Sequence, residues 1–221
     1  MGEPSIRIFD ENASEYDSWY VEHAAIFESE ARAIEALRPA GLGLEIGVGA
    51  GVFAKRLGVT VGIDPSLGML GLAKARGIQA VRAAGEHLPF RFGAFEYVLI
   101  TGTLCFLKEP SATIRESAGA LKDEGNLIVC EIRRNSPWGK FIEEKGRAGH
   151  RFYRYAVVYD IVEVRCTLED LGFTIEDTKA SMSFGPEEHE LVEQPCQNTA
   201  GRSYVCLRAV KHPARDPVPP V

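Results

Sequence analysis

Short apolar runs alternate with helix-like patterns between residues 40 and 132. Five runs have the length of strands, and they cover residues 42–46, 60–63, 78–83, 97–101 and 126–132. Three segments between them have helical spacing, and they cover residues 52–57, 66–76 and 110–121. Nearly continuous apolar strands that alternate with helices are typical of a parallel sheet covered on both faces. The pattern therefore predicts a doubly wound α/β fold.

The segments on either side of this region complete the prediction. Residues 14–38 show an apolar face with helical spacing, and two strand-like segments, 173–179 and 203–209, follow one another without an intervening helix. Such a pair favours a hairpin that adds an antiparallel edge, so we expect a mostly parallel sheet of seven strands. We predict one domain over residues 1–210, with a helical cover at 9–38 and an insertion at 133–156 over the active site. The proline-rich residues 211–221 are predicted to be a disordered tail.

Composition excludes several classes of protein. Of the 221 residues, 25 are Lys or Arg and 31 are Asp or Glu, giving a formal charge of −6. This balance gives no bulk attraction to nucleic acid or to an anionic membrane, and we expect neither as a partner. The five cysteines are odd in number and contain no Cys-x-x-Cys pair, which does not indicate a disulfide framework or a metal site. With no signal peptide and no membrane-length apolar run, the sequence predicts a cytoplasmic protein.

A glycine-rich loop follows the first predicted strand, at residues 44–51, with the sequence LEIGVGAG. Glycines at alternate positions let the backbone approach a ligand closely, although a tight turn without a ligand would look the same. Asp64 ends the second predicted strand, where an acid can accept hydrogen bonds from both ribose hydroxyls of a nucleoside. The alternative for Asp64 is a cap for the helix at 66–76. Residues 83–90, AAGEHLPF, follow the third strand.

The spacing of the loop distinguishes among cofactors. Val52 stands where a dinucleotide fingerprint requires its last glycine, and no Gly-Lys-Ser/Thr follows as a Walker loop requires. As a set, the three segments resemble the motifs of class I S-adenosylmethionine (SAM)-dependent methyltransferases, in the small type 11 or UbiE-like group. Residues 95–107 and 120–132 are similar to the fourth and fifth motifs of that family, and residues 9–20 to its N-terminal segment. The resemblance implies a Rossmann-like methyltransferase that transfers a methyl group from SAM to a small molecule and releases S-adenosylhomocysteine.

The resemblance also implies which residues bind the cofactor. They are Glu45, Gly47, Gly49, Gly51, Asp64, Pro65, Met69, Gly85, Glu86, His87 and Thr101. The three loop glycines, Glu45 and Thr101 would face the methionine part, and Asp64 would hold the ribose. The remaining five would surround the adenine. One departure is Ala84, which stands where the family usually has an acid that contacts the adenine amino group.

The acceptor site is less defined by the sequence. Tyr16 and His150 are the candidate catalytic residues, although each could serve only in packing. With Trp19 and Tyr20, Tyr16 could form a cation-binding aromatic wall or pack the N-terminal helix. Arg133 and Arg134 begin a basic segment that could hold a carboxylate or phosphate of the acceptor, or form a solvated helix. The attacking atom of the acceptor and the oligomeric state are left open. The competing functions are a methyltransferase-like protein that binds SAM without catalysis and a nicotinamide-dependent oxidoreductase.

Overall fold

The computed structural model describes residues 3–212, which form eight α-helices and seven β-strands. The helices are α1 (Glu3–Glu11), α2 (Ala13–Glu22), α3 (Ala24–Glu35), α4 (Val52–Leu57), α5 (Leu67–Ala75), α6 (Pro110–Ala120), α7 (Pro137–Arg147) and α8 (Ile161–Asp170). The strands are β1 (Gly43–Ile46), β2 (Val61–Asp64), β3 (Gln79–Arg82), β4 (Phe95–Thr101), β5 (Leu121–Ile132), β6 (Phe173–Ser181) and β7 (Tyr204–Lys211).

The strands form one sheet in the order β3-β2-β1-β4-β5-β7-β6. The first five strands in this order are parallel, and β7 pairs antiparallel with both β5 and β6. The predicted fold, a doubly wound and mostly parallel seven-stranded sheet with an antiparallel C-terminal hairpin, is confirmed. The order reverses direction between β1 and β4, so the carboxyl ends of these two strands border the crevice where such sheets bind ligands.

Two apolar clusters cover the faces of the sheet. One includes Ile34 of α3 and Leu70 of α5, and the other includes Ile114 of α6 and Leu168 of α8. Strands β1 and β4 are buried along almost their whole length, because helices cover them on both sides. Burial of these strands holds the loops at their carboxyl ends in place.

Several predicted boundaries differ from the observed elements. The single helical region predicted at 14–38 is two helices, α2 and α3, which meet at His23. Strand β5 begins at Leu121, the last residue of the predicted helix, rather than at residue 126. The predicted tail begins too early, because Lys211 pairs with Phe173 in the sheet. The part of that prediction that concerns residues 213–221 lies outside the described residues.

A disulfide joins two neighbouring strands of the sheet, β5 and β7. Cys130 of β5 and Cys206 of β7 lie directly opposite each other, with their Cα atoms 4.0 Å apart, and both are fully buried. The number and spacing of the cysteines do not indicate a disulfide framework, and they do not predict this single pair. Their separation of 76 residues along the chain gives no sign that the register of an antiparallel pair brings them together.

No helix among residues 3–212 is long and apolar enough to cross a membrane.

Candidate active site

The glycine loop leaves β1 through backbone conformations that favour glycine. Gly47, Gly49 and Gly51 all have positive φ, at 71°, 51° and 79°. A Cβ on Gly47 would lie 2.4 Å from the Thr103 side chain, whereas a Cβ on Gly49 would meet no atom within 4 Å. Gly47 and Gly49 line a cavity above the sheet. Gly51 lies against α5 instead, where a Cβ would lie 3.1 Å from the Ala73 Cα.

Asp64 connects this loop to the second strand. One carboxylate oxygen accepts a hydrogen bond from the Ser66 amide at 2.8 Å, and the other accepts one from the Gly49 amide at 3.0 Å. Burial raises the pKa of Asp64 to about 6, and the side chain lines the same cavity as Gly49. The helix-cap alternative does not hold, because Ser66 is the N-cap of α5 and accepts from the Met69 amide.

Glu45 lies inside the fold, beneath the glycine loop. Its side chain is 1% exposed, and burial raises its pKa well above the usual value. One of its carboxyl oxygens has no hydrogen-bond partner among residues 3–212, and the residue lines the same cavity as Asp64. A buried oxygen without a donor is costly unless a ligand supplies one.

The N-terminal helices cover this cavity. Phe9 of α1 packs edge-on against Phe106 and Tyr16, with ring centroids 5.1 Å apart in both pairs, and all three residues line the cavity. Asp10 anchors α1 to the start of α5, because one of its oxygens accepts from the Ser66 hydroxyl at 2.7 Å and from the Gly68 amide at 2.9 Å. The predicted position of the N-terminal segment over the cofactor site agrees with these contacts.

The other predicted cofactor residues fall into three groups. Met69 and Thr101 line the cavity beside Gly47 and Asp64, and the Thr101 hydroxyl is hydrogen-bonded to the Tyr204 hydroxyl at 2.6 Å. Pro65, Gly85 and Glu86 line a smaller neighbouring cavity, which also includes Ala84, Gly47 and Thr103. His87 is exposed in a turn, where its amide donates to the Ala84 carbonyl.

The comparisons with known proteins agree with this geometry. The family model described as "Methyltransferase domain" matches residues 44–129. A SAM-dependent methyltransferase from Thermotoga maritima, described as a possible histamine N-methyltransferase, is 30% identical with a TM-score of 0.88, over 94% of this chain and 99% of that one. The chain belongs to the SAM-dependent methyltransferases. The chain also matches parts of demethylmenaquinone methyltransferases. One of them, from Corynebacterium kroppenstedtii, is 35% identical over 39% of the chain and 38% of that protein. Together with the sequence motifs, these matches indicate the class I, type 11 group.

Other relatives of this methyltransferase have no assigned activity. An uncharacterized protein from Methanocaldococcus jannaschii is 40% identical over 76% of the chain and 82% of that protein. An uncharacterized protein from Mycobacterium tuberculosis is 34% identical over 90% of the chain and 72% of that protein. These relatives identify no methyl acceptor.

The cofactor of this methyltransferase family is SAM, and the cavity has the features that SAM requires. The unpartnered oxygen of Glu45 can accept a hydrogen bond from a ligand N–H group, and Asp64, the residue predicted to hold the ribose hydroxyls, lines the same cavity. Because position 49 is a glycine, the space beside its backbone stays open for a ligand, and a side chain there would fill it. The assignment of individual residues to parts of SAM stays a prediction.

A larger cavity of about 460 Å³ adjoins the cofactor cavity of the methyltransferase. The two cavities share Tyr16, Tyr20, Phe53, Thr101, Gly102 and Phe106. Helix α7, in the predicted insertion, contributes Trp138 and Phe141 to the opposite wall. Trp19 and Tyr20 line the cavity and also pack on the core, so the packing alternative is confirmed, and cation binding by this aromatic wall stays a prediction.

The sequence reasoning missed two buried acids in this cavity. Glu30 of α3 is 8% exposed and Glu131 of β5 is 5% exposed. Burial raises the pKa of Glu30 to about 8, with a further contribution from Glu131, and burial raises the pKa of Glu131 to about 7. The available signal was an acid inside an apolar stretch, since α3 buries Ile26, Ala31 and Ile34 around Glu30.

The structure corrects the interpretation of Arg133 and Arg134 as an anion site. Arg133 donates to the Thr199 carbonyl at 2.8 Å, and Arg134 donates to the Val158 carbonyl and pairs with Glu163. Neither arginine lines this larger cavity. Their side chains instead connect the segments around β5, because two backbone carbonyls and one carboxylate accept hydrogen bonds from them.

The two candidate catalytic residues differ in position. Tyr16 lies between the two cavities, where burial raises the pKa of its phenol and keeps it neutral. His150 is exposed at the mouth of the acceptor cavity, stacked on Tyr153 with ring centroids 4.4 Å apart. Burial, with the positive charge of Lys145, lowers the pKa of His150. Catalytic roles for both residues stay predictions.

The burial of Glu30 predicts a pH-dependent change in stability. Between pH 4.5 and about 8 the folded state holds a proton on Glu30 that the unfolded chain has lost, so the free energy of unfolding falls as pH rises. Glu30→Gln removes this loss, and we expect it to stabilise the protein at pH 8.5 by on the order of 2–4 kcal/mol, with little gain at pH 5. Thermal unfolding at both pH values measures the difference, with the exposed Glu22→Gln as control. An equal gain at pH 5 and pH 8.5 would contradict this assignment.

Proposed function

We propose that this methyltransferase transfers the methyl group of SAM to a small molecule bound in the cavity of about 460 Å³. The observation that carries the proposal is the contact between the two cavities, which share Thr101, Gly102 and Phe106. The volume lies within the range of roughly 300–1,000 Å³ that is typical of small-molecule sites. A macromolecular acceptor would need an open groove, and α2 and α7 instead close opposite sides of this cavity.

The chain's own contribution to the reaction is alignment and exclusion of water. When bound, SAM supplies a methyl group that is already activated on a sulfonium. Phe9, Phe106 and Tyr16 cover the junction between the cavities, which keeps water from the reacting atoms. Holding two reactants in one orientation accounts for a large share of the rate of such a transfer. A protein nucleophile is not needed.

The acidic lining of the acceptor cavity bears on the class of acceptor. Its acids are Glu15, Glu22, Glu30 and Glu131, and its basic residues are Lys145 and His150. This excess of acids gives no support to an anionic acceptor or to nucleic acid. The Thermotoga maritima protein is described as a possible histamine N-methyltransferase. This description favours an amine as the methyl acceptor of this chain.

Binding and turnover together test the proposed function. We expect SAM and S-adenosylhomocysteine to bind in the micromolar range in a calorimetric titration, and NAD to bind at least 100-fold more weakly. Release of S-adenosylhomocysteine from SAM should then depend on an added small molecule. Tight binding of NAD would favour the oxidoreductase instead. Binding of SAM without turnover, across amines, phenols, thiols and carboxylates, would favour a binding protein without catalysis.

A location in the cytoplasm is part of the same proposal. The buried Cys130–Cys206 pair is the observation that bears against it, because disulfides persist mainly in oxidising compartments. Thiol labelling of the denatured protein from freshly lysed cells would show five reactive cysteines if the pair is reduced there and three if it is bonded.

A further inference from the structure

Glu30 presents a carboxyl group to the acceptor cavity without a hydrogen-bond donor. Within residues 3–212, no group donates a hydrogen bond to it, and burial and Glu131 are the causes of its raised pKa. A negative charge on Glu30 contributes to the raised pKa of four tyrosines that line this cavity: Tyr16, Tyr20, Tyr153 and Tyr204. A buried carboxylate without a donor or counter-ion is costly, so its environment is suited to a ligand that supplies both.

Glu131 lies beside Glu30 and is held in place by the backbone. One of its oxygens accepts from the Thr103 amide at 3.0 Å and from the Leu104 amide at 2.8 Å. These two amides follow β4, next to Thr101 and Gly102, which border both cavities. The fixed carboxylate therefore lies at the end of the acceptor cavity that is nearer to the cofactor.

Buried acids line the inner end of the cavity, and its basic residues lie at the exposed mouth. Glu30 and Glu131 are buried, whereas the two basic lining residues, Lys145 and His150, are exposed. The Lys145 ammonium lies 5.3 Å from the Phe141 ring, on the outer wall formed by α7. No described lining residue at the inner end carries a positive charge to offset the two acids.

From these observations we propose that Glu30 and Glu131 form a binding subsite for an ammonium group of the methyl acceptor. An ammonium group supplies the donors that the Glu30 carboxylate lacks and balances the charge of the pair. The aromatic side chains of Trp19 and Tyr20 line the same cavity, and their ring faces attract cations. The acceptor is therefore an amine. The inference rests on the proposed function, since it names the substrate class of that cavity.

The subsite has a consequence for pH. Because the carboxyls of Glu30 and Glu131 are partly protonated near pH 7, an ammonium ligand must displace protons to bind. Amine affinity should therefore rise between pH 6 and pH 8.5. The other titratable groups facing the pair do not ionise in this range, because burial raises the pKa of Cys105, Tyr16, Tyr20, Tyr153 and Tyr204. At the mouth, burial and the positive charge of Lys145 lower the pKa of His150.

A matched set of probes tests the subsite. Phenethylamine, 2-phenylethanol and 3-phenylpropionate share a ring and a short chain and differ in charge. They are titrated by calorimetry into the protein saturated with S-adenosylhomocysteine, at pH 6, 7 and 8.5. We expect the amine to bind at least tenfold more tightly than the alcohol and the carboxylate at pH 8.5, with an affinity that falls as the pH is lowered.

Variants show whether the two acids are responsible. Glu30→Gln and Glu131→Gln each remove a charge, and the glutamine at position 131 keeps an oxygen for the Thr103 and Leu104 amides. Each should reduce the preference for the amine at least tenfold and flatten its pH dependence. Glu187→Gln removes an exposed acid that does not line the cavity and should change the preference by less than threefold. Affinity for S-adenosylhomocysteine, unchanged within threefold, confirms that the variants are folded.

The outcomes separate the subsite from the proposed function. An amine that binds no better than the alcohol, or a preference that both variants retain, would overturn the subsite while binding of S-adenosylhomocysteine still supports a methyltransferase. Failure of the wild-type protein to bind S-adenosylhomocysteine would overturn the proposed function and the subsite with it. Absence of any amine binding to the complex counts against the subsite alone.

Discussion

Gly49→Val is expected to abolish measurable binding of SAM and S-adenosylhomocysteine while the protein stays folded. A Cβ at this position meets no protein atom within 4 Å, and Gly49 lines the cofactor cavity. The added side chain therefore occupies the space that the ligand needs, without a clash inside the protein. We expect at least a 100-fold loss of affinity, about 2.7 kcal/mol. Calorimetric titration with S-adenosylhomocysteine measures it.

Strain at Gly49 needs its own control, because φ is 51° and side chains rarely adopt this conformation. Gly58 provides the match. Its φ is 71°, a Cβ there also meets nothing within 4 Å, and it ends α4 at an exposed position. Gly58→Val should lose a similar amount of stability and bind S-adenosylhomocysteine normally. Equal affinities of the two variants would show that Gly49 does not face the cofactor.

Asp64→Asn is expected to weaken binding of S-adenosylhomocysteine by ten- to a hundredfold. The variant removes the charge that strengthens hydrogen bonds to ribose hydroxyls, which contribute roughly 1.5–3 kcal/mol when one partner is ionised. The asparagine keeps one oxygen as an acceptor for the Gly49 or Ser66 amide. Burial raises the pKa of Asp64 to about 6, so the wild-type affinity should fall as pH is lowered from 7 to 5. The variant should lack this fall.

Removing the ribose hydroxyls from the ligand tests the proposed contact with Asp64 independently of the variant. S-adenosylhomocysteine and an analogue without the 2′- and 3′-hydroxyls are titrated into wild type and Asp64→Asn. If Asp64 binds the ribose, removal of the hydroxyls costs the wild type at least tenfold and costs the variant much less. An equal loss in both proteins would mean that Asp64 only supports the loop through Gly49 and Ser66.

The sequence predicts the parts of the fold that depend on local pattern. Helix α4 has the predicted bounds, β1 begins one residue later than predicted, and β2 is shifted by one residue at both ends, because glycines and apolar runs define these elements. The break at His23 was missed because the apolar spacing continues from α2 into α3. The contacts of Cys130 with Cys206 depend on register across distant strands, which spacing along the chain does not encode.

In the candidate site, too, the residues set by local motifs were predicted and those set by tertiary contacts were not. Gly49 and Asp64 were predicted because motif spacing places them at adjacent strand ends, and the structure joins them by a hydrogen bond. Arg133 was assigned to the acceptor because it follows β5, but the loop at Thr199, 66 residues further along, takes up its donor. Glu30 was missed because a single acid in a helix is usually solvated, and only tertiary packing shows that α3 buries it.

Ser66 connects helix α1, which covers the cavity, to Asp64, which lines it. Its amide donates to Asp64 in the cofactor cavity, and its hydroxyl donates to Asp10, which anchors α1. Lifting α1 to exchange the cofactor breaks the bonds from the Ser66 hydroxyl and the Gly68 amide to Asp10, but leaves the bond to Asp64 intact. Displacement of α1 would therefore uncover the cavity while the Asp64 carboxylate, the predicted ribose ligand, keeps its bonds to the Ser66 and Gly49 amides.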